Sequence, residues 1–166
     1  MKRVRWKSAL AAVMAAAMTA GSFGGFGASR AEAADHDGYT MYMIGNAHID
    51  TAWQWPYEDT ARDVLSDTFN RAVDALQNDP EAKFSMSASK HYEWVKEYYP
   101  ELYEEVKELI ASGQWDNPGG QVVEPDLNLP SGESLVRQSL EGQHFFEEEF
   151  GQTSTVGYVP DTFGFS

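Results

Sequence analysis

From residue 39 onward the chain alternates two hydrophobic rhythms, and this alternation limits what it can fold into. Short apolar runs occur at "YTMYMIG" (39–45), "KFSMS" (83–87), within "QWDNPGGQVVEPD" (114–126) and at "STVGYVP" (154–160). Each has the length of a strand. The segments between them repeat every three or four residues instead. Ala61, Val64, Leu65, Phe69, Ala72, Val73 and Leu76 mark one face of a helix that Asn78-Asp79-Pro80 should stop. Residues 89–99 and 101–111 read as two helices broken at Pro100, the second closed by Ser112-Gly113. Ser131 is placed to cap a further helix to Phe150, with Leu135, Ser139, Gly142, Phe146 and Phe150 on one stripe and Gly151 at its end. Strand, helix, strand, helices, strand, helix, strand is the order of an α/β fold with a parallel sheet and right-handed crossovers. Four such strands make a small open sheet or part of a barrel.

The first 33 residues stand outside this rhythm. Lys2, Arg3, Arg5 and Lys7 precede the apolar "SALAAVMAAAMTA", and Ala31-Glu32-Ala33 has the small-x-small form of a cleavage site. We expect residues 1–33 to be a secretory signal peptide, with an apolar core too short to span a bilayer, and the protein to be exported. Residues 34–166 are then enough for one core of ordinary size, and are expected to be a fragment of a longer domain. Five of the 12 basic and one of the 26 acidic residues lie in the leader, so the remainder carries seven bases against 25 acids, a formal charge of −18. Such a surface argues against nucleic acid and against anionic membranes as partners. With no cysteine, disulfides and thiolate zinc sites are excluded, and any metal must be held by His, Asp or Glu.

In parallel α/β folds, functional groups collect in the loops after the strands. His48 and Asp50 follow the first apolar run and Asp161 follows the last. All would open on one side of the sheet. In an extended loop, His-x-Asp turns both side chains the same way. One imidazole and two carboxylates can hold a zinc ion with a position left open. Trp53 and Trp55 fit either core packing or a flat wall for a sugar, and "PDTFG" fits a plain turn as well as a site. Glu124 and Asp126 read as supports for a site, as partners for sugar hydroxyls, or as a loop end. His91 and His144 fall within helices and are not expected to be ligands.

Three blocks carry a resemblance. "NAHIDTAWQWP", "GGQVVEPDLNLPSGESLVRQSLEGQHFFEEEFG" and "VGYVPDTFGFS" resemble, in order and spacing, the N-terminal part of the catalytic domain of glycoside hydrolase family 38, the α-mannosidases. The resemblance covers residues from about 40 to 166 and implies the start of a seven-stranded (β/α) barrel, cut after the fourth strand. It implies one zinc ion, or another divalent metal, held by His48, Asp50 and Asp161 together with a later His. It makes Asp161 the catalytic nucleophile of a retaining reaction and Trp53 and Phe163 the walls of the sugar pocket. The implied partners are α-mannoside glycans. The implied acid/base lies beyond Ser166, so the chain alone should be inactive. Two positions depart from many relatives: Gln121-Val122, where an aromatic is common, and Gln54, which is often apolar. Two alternatives stand beside this reading: a metal-dependent carbohydrate hydrolase of another kind, such as a polysaccharide deacetylase, and a sugar- or zinc-binding fragment without chemistry.

Overall fold

The structure is a computed structural model describing Gly38 and residues 41–164. The chain divides into two units, Met1–Tyr42 and Met43–Ser166, and all elements below belong to the second. The expected signal peptide, residues 1–33, lies outside the described residues.

Three two-residue strands, β1 (Gly45–Asn46), β2 (Phe84–Ser85) and β3 (Trp115–Asp116), form a parallel sheet in the order β1-β2-β3. Gly45 lies opposite Phe84, and Phe84 opposite Trp115. The α/β class with parallel strands is therefore present, as a small open sheet. A helical turn α1 (Tyr57–Asp59), a π-helical segment (Thr60–Val64) and α2 (Leu65–Asn78) link β1 to β2. Helices α3 (Ser89–Tyr98) and α4 (Pro100–Ser112) link β2 to β3, and α5 (Gly132–Phe150) follows. Pro100 starts α4, where its missing N–H costs nothing. Gly113 ends α4 at φ 76° and Gly151 ends α5 at φ 67°, a left-handed turn that a side chain would strain. The Ser131 hydroxyl accepts from the Ser134 N–H at 3.2 Å, the expected cap.

The core lies between the sheet and its helices. Leu65, Phe69, Val73 and Leu76 of α2 meet Tyr92 and Val95 of α3, Val106 of α4, Trp115 of β3 and Phe146 of α5. Val64 is the exception on the first stripe and faces solvent. The π-helical turn widens the spacing there and carries it off the face shared by Ala61 and Leu65. Burial on α5 is confined to the C-terminal half of its stripe: Ser139 is exposed, whereas Gly142 and Phe146 are buried.

Two expected strands differ. The apolar run 39–45 reads as a strand, and a run so apolar is ordinarily buried, yet Met43 and Ile44 are 77% and 62% exposed and pairing starts only at Gly45. β1 is the sheet edge, and no described helix covers these two side chains. Residues 154–160 form no ladder. Side chains hold them instead: Gln143 of α5 donates to the Ser154 carbonyl and accepts from its N–H, both at 2.8 Å. One backbone bond, from the Gly119 N–H to the Val156 carbonyl, ties the segment to the loop after β3.

Candidate metal centre

Strand pleating separates packing from chemistry. Phe84, Met86 and Ala88 face the core, as do Ala47 and Ile49. The intervening positions, His48, Asp50, Ser85 and Ser87, turn to the other face. The His-x-Asp pair therefore points to one side, as its spacing predicts. The loop after residue 160 brings Asp161 to the same place.

His48 Nε2 lies 3.5 Å from Asp50 Oδ1 and 3.4 Å from Asp161 Oδ2. One donor atom from each residue falls within 4.8 Å of the others. Donors about 2.0–2.1 Å from a zinc ion at a tetrahedral angle sit about 3.3 Å apart, so the two measured edges fit such an ion. The donor set fits as well, since neutral imidazole and two carboxylates offset a dication. The three side chains are partly exposed, which leaves the centre open on one side.

Each of the candidate ligand positions is tied down separately. Behind Asp50, Trp55 Nε1 donates to Thr60 Oγ1 at 2.8 Å, and that hydroxyl donates to the Asp50 carbonyl at 3.2 Å. Trp55 thus braces the loop, and it meets Trp53 edge-on at 5.7 Å between ring centres. Trp53 itself is 69% exposed and Phe163 is 56% exposed. Both stand on loops that carry residues of the His48, Asp50 and Asp161 cluster. The Asp161 loop is held by the Leu127 N–H, which donates to the Phe163 carbonyl at 3.2 Å.

The imidazole of His48 has a second partner on its far side. Its Nδ1 contacts Glu124 Oε2, while the other oxygen of Glu124 accepts from Ser87 Oγ at 2.6 Å. Of the sequence readings of Glu124, support for the site is the one this contact fits. Asp126 accepts from the Asn128 N–H at 2.6 Å and so shapes its own loop. Ser87 was missed, although the alternation of Ser85 and Ser87 with Phe84, Met86 and Ala88 marks it as turned away from the core.

His144 is exposed and pairs with Glu148 at 3.2 Å. His91 is buried, neither ring nitrogen has a hydrogen-bond partner, and burial first and the His48 imidazole second lower its pKa to about 4. Tyr158, beside Ser85, is raised by burial and then by the negative charge of Glu124.

An open α/β unit with a candidate His/Asp/Asp centre in the loops on one side of its sheet is the class these features define. The family described as Glycosyl hydrolases family 38 N-terminal domain matches residues 38–166, and the chain belongs to it. It is 45% identical over 126 residues to Alpha-mannosidase G of Dictyostelium discoideum, which covers 76% of this chain and 12% of that protein. With human Alpha-mannosidase 2C1 it shares 44% identity over 128 residues, 77% of this chain and 12% of the relative. The crystal structure of an alpha-mannosidase from Enterococcus faecalis V583 superposes with a TM-score of 0.62 at 28% identity, covering 72% of this chain and 13% of that one. The chain thus spans about an eighth of the length of the relatives it matches.

Proposed function

We propose that the chain supplies the metal centre and nucleophile of an exported retaining α-mannosidase, within a seven-stranded (β/α) barrel of which it is the N-terminal part. The observation that carries this reading is the convergence of His48, Asp50 and Asp161 at metal-ligand spacing, in a member of glycoside hydrolase family 38. The relatives' names supply the substrate class, terminal α-mannosides.

A zinc ion held by His48, Asp50 and Asp161 would supply positive charge to grip neighbouring sugar hydroxyls and to keep the Asp161 carboxyl ionised. Asp161 is the nucleophile. Its free carboxylate oxygen attacks the anomeric carbon, the bond to the leaving oxygen breaks, and that oxygen takes a proton from a separate carboxylic acid. Water then releases the mannose from Asp161, returning a proton to the same acid. Asp50 is a ligand in this reading and not the acid, because a carboxyl beside the metal stays ionised. Trp53 and Phe163 offer the sugar two exposed aromatic faces.

The test is to incubate the full-length protein with a slow fluorinated α-mannosyl substrate and locate the adduct by mass spectrometry. A mannosyl group on Asp161 is expected, and Asp161→Asn should lower kcat by at least about 10^4-fold, as loss of a nucleophile does elsewhere. Turnover without any adduct, surviving Asp161→Asn, would point to metal-activated water and to the deacetylase-like alternative.

A further inference from the structure

A ligating imidazole serves a metal only if the nitrogen facing the metal is free of its proton. In neutral histidine that choice depends on what the other nitrogen meets. Here the far nitrogen, Nδ1, meets Glu124, and Nε2 is the atom turned to Asp50 and Asp161. An ionised carboxylate only accepts hydrogen bonds, so this pairing requires the proton on Nδ1.

We infer that Glu124, steadied by Ser87, is the positioning residue that fixes the tautomer and ring orientation of His48 and so presents a bare Nε2 to the metal. This rests on the metal-site reading above and assigns it a component outside the ligand set.

The geometry supports orientation and not ligation. Glu124 is 11% exposed at its side chain, against 31% for His48 and 64% for Asp161, so it lies beneath the imidazole while the ligands open outward. Both its oxygens are occupied, one by His48 Nδ1 and one by Ser87 Oγ. Its loop is also clamped on two sides. The first N–H groups of α3, on Ser89 and Lys90, donate to the Gln121 and Val122 carbonyls at 3.0 Å. From α5, the Gln138 carbonyl accepts from the Val122 N–H at 3.1 Å, and its side chain accepts from the Val123 N–H at 2.9 Å. The α3 bonds satisfy helix-start donors that would otherwise be unpaired, so they do two jobs. Gly142 of α5 lets the loop come this near, because a Cβ there would fall 2.5 Å from the Gln121 backbone. Ser87 follows β2, and Glu124 follows β3, so the contact also staples two strand ends together.

Nitrogen-15 NMR of the full chain, labelled at histidine and free of metal, tests this directly, with His48→Gln to assign the signal. The wild-type signal of His48 should show a protonated Nδ1 and a bare Nε2. In Glu124→Ala that preference should be lost and zinc affinity should fall 10–100-fold. Glu124→Gln restores an acceptor through its amide oxygen, so it should keep the tautomer and lose less affinity. Ser87→Ala frees the carboxylate's second oxygen and should weaken zinc a few-fold. A Glu124→Ala chain whose His48 keeps the same tautomer and binds zinc within threefold of wild type would overturn the inference. So would a change in the cobalt(II) absorption spectrum of Glu124→Gln, which would make Glu124 a ligand. A wild-type chain with the stated tautomer that binds no zinc would sustain the role of Glu124 while sinking the metal reading.

Discussion

Two tryptophans divide this molecule. Trp115, on β3, is 1% exposed and has its indole N–H bonded to the Tyr92 hydroxyl at 2.8 Å, which in turn donates to the Met86 carbonyl at 2.7 Å. Phe69 and Phe84 lie against its ring, with ring centres 5.1 and 4.6 Å away. Trp53, beyond the end of β1, touches Trp55 with an edge and leaves the rest of its surface open. The same side chain is thus used once to close a core and once to stay available. The difference lies in position: Trp115 is within the sheet and faces the helices, whereas Trp53 is in the loop after the strand, the loop that also carries His48 and Asp50. The core lies on one side of this sheet and the candidate metal centre beyond its strands.

The largest test of that division is Trp115→Ala. It should cost about 3–5 kcal/mol in denaturant unfolding, because a large ring is deleted from a packed interior and Tyr92 loses its donor. A cost below about 1 kcal/mol would mean the helices are not docked as described.

His91 sits where the two sides meet, buried beneath the site with its ring nitrogens unpartnered. Its folded pKa, lowered to about 4 by burial and then by the neighbouring His48, lies below the ordinary 6.5. The unfolded chain therefore takes up a proton that the folded one refuses. Stability from this residue is complete above pH 6.5 and is lost as pH falls from there towards 4, by roughly 3 kcal/mol in total. His91→Leu should flatten the acid limb of the stability curve by that amount while carboxylates contribute equally to both proteins. Identical acid limbs would mean His91 is solvated.

Much of this division can be read from residue order. The helix faces were legible because packing fixes them: Leu65, Phe69, Ala72, Val73 and Leu76 repeat at helical steps and are all buried. His48 and Asp50 were legible because a spacing of two residues in extended chain turns both one way. Asp161 was found by its place after an apolar run, even though that run forms no strand. There the pattern misleads for a definite reason. Val156 and Val159 are exposed, and the segment is held by the Gln143 amide, a contact between residues 11 apart that no hydrophobic rhythm encodes. Met43 and Ile44 fail in the same manner, since an apolar run declares a preference for burial without naming what will cover it. Ser87 and Glu124, 37 residues apart, meet only because β2 and β3 are neighbours.

The smallest effect on stability is the sharpest test of the comparison. Trp53→Ala removes as many atoms as Trp115→Ala, yet it should change unfolding free energy by no more than about 0.5 kcal/mol, since an exposed ring buries little on folding. The loop should hold its shape through Trp55, whose bond to Thr60 Oγ1 does not involve Trp53. What should change is binding. If the exposed face of Trp53 is one wall for the sugar, the full-length enzyme should need roughly tenfold more α-mannoside to half-saturate, about 1.4 kcal/mol. Zinc affinity should stay where it was, because no atom of Trp53 is a donor to the centre. A Trp53→Ala protein that loses several kcal/mol of stability would make this ring a packing element like Trp115. One that keeps both its stability and its substrate affinity would leave Phe163 as the aromatic that meets the sugar.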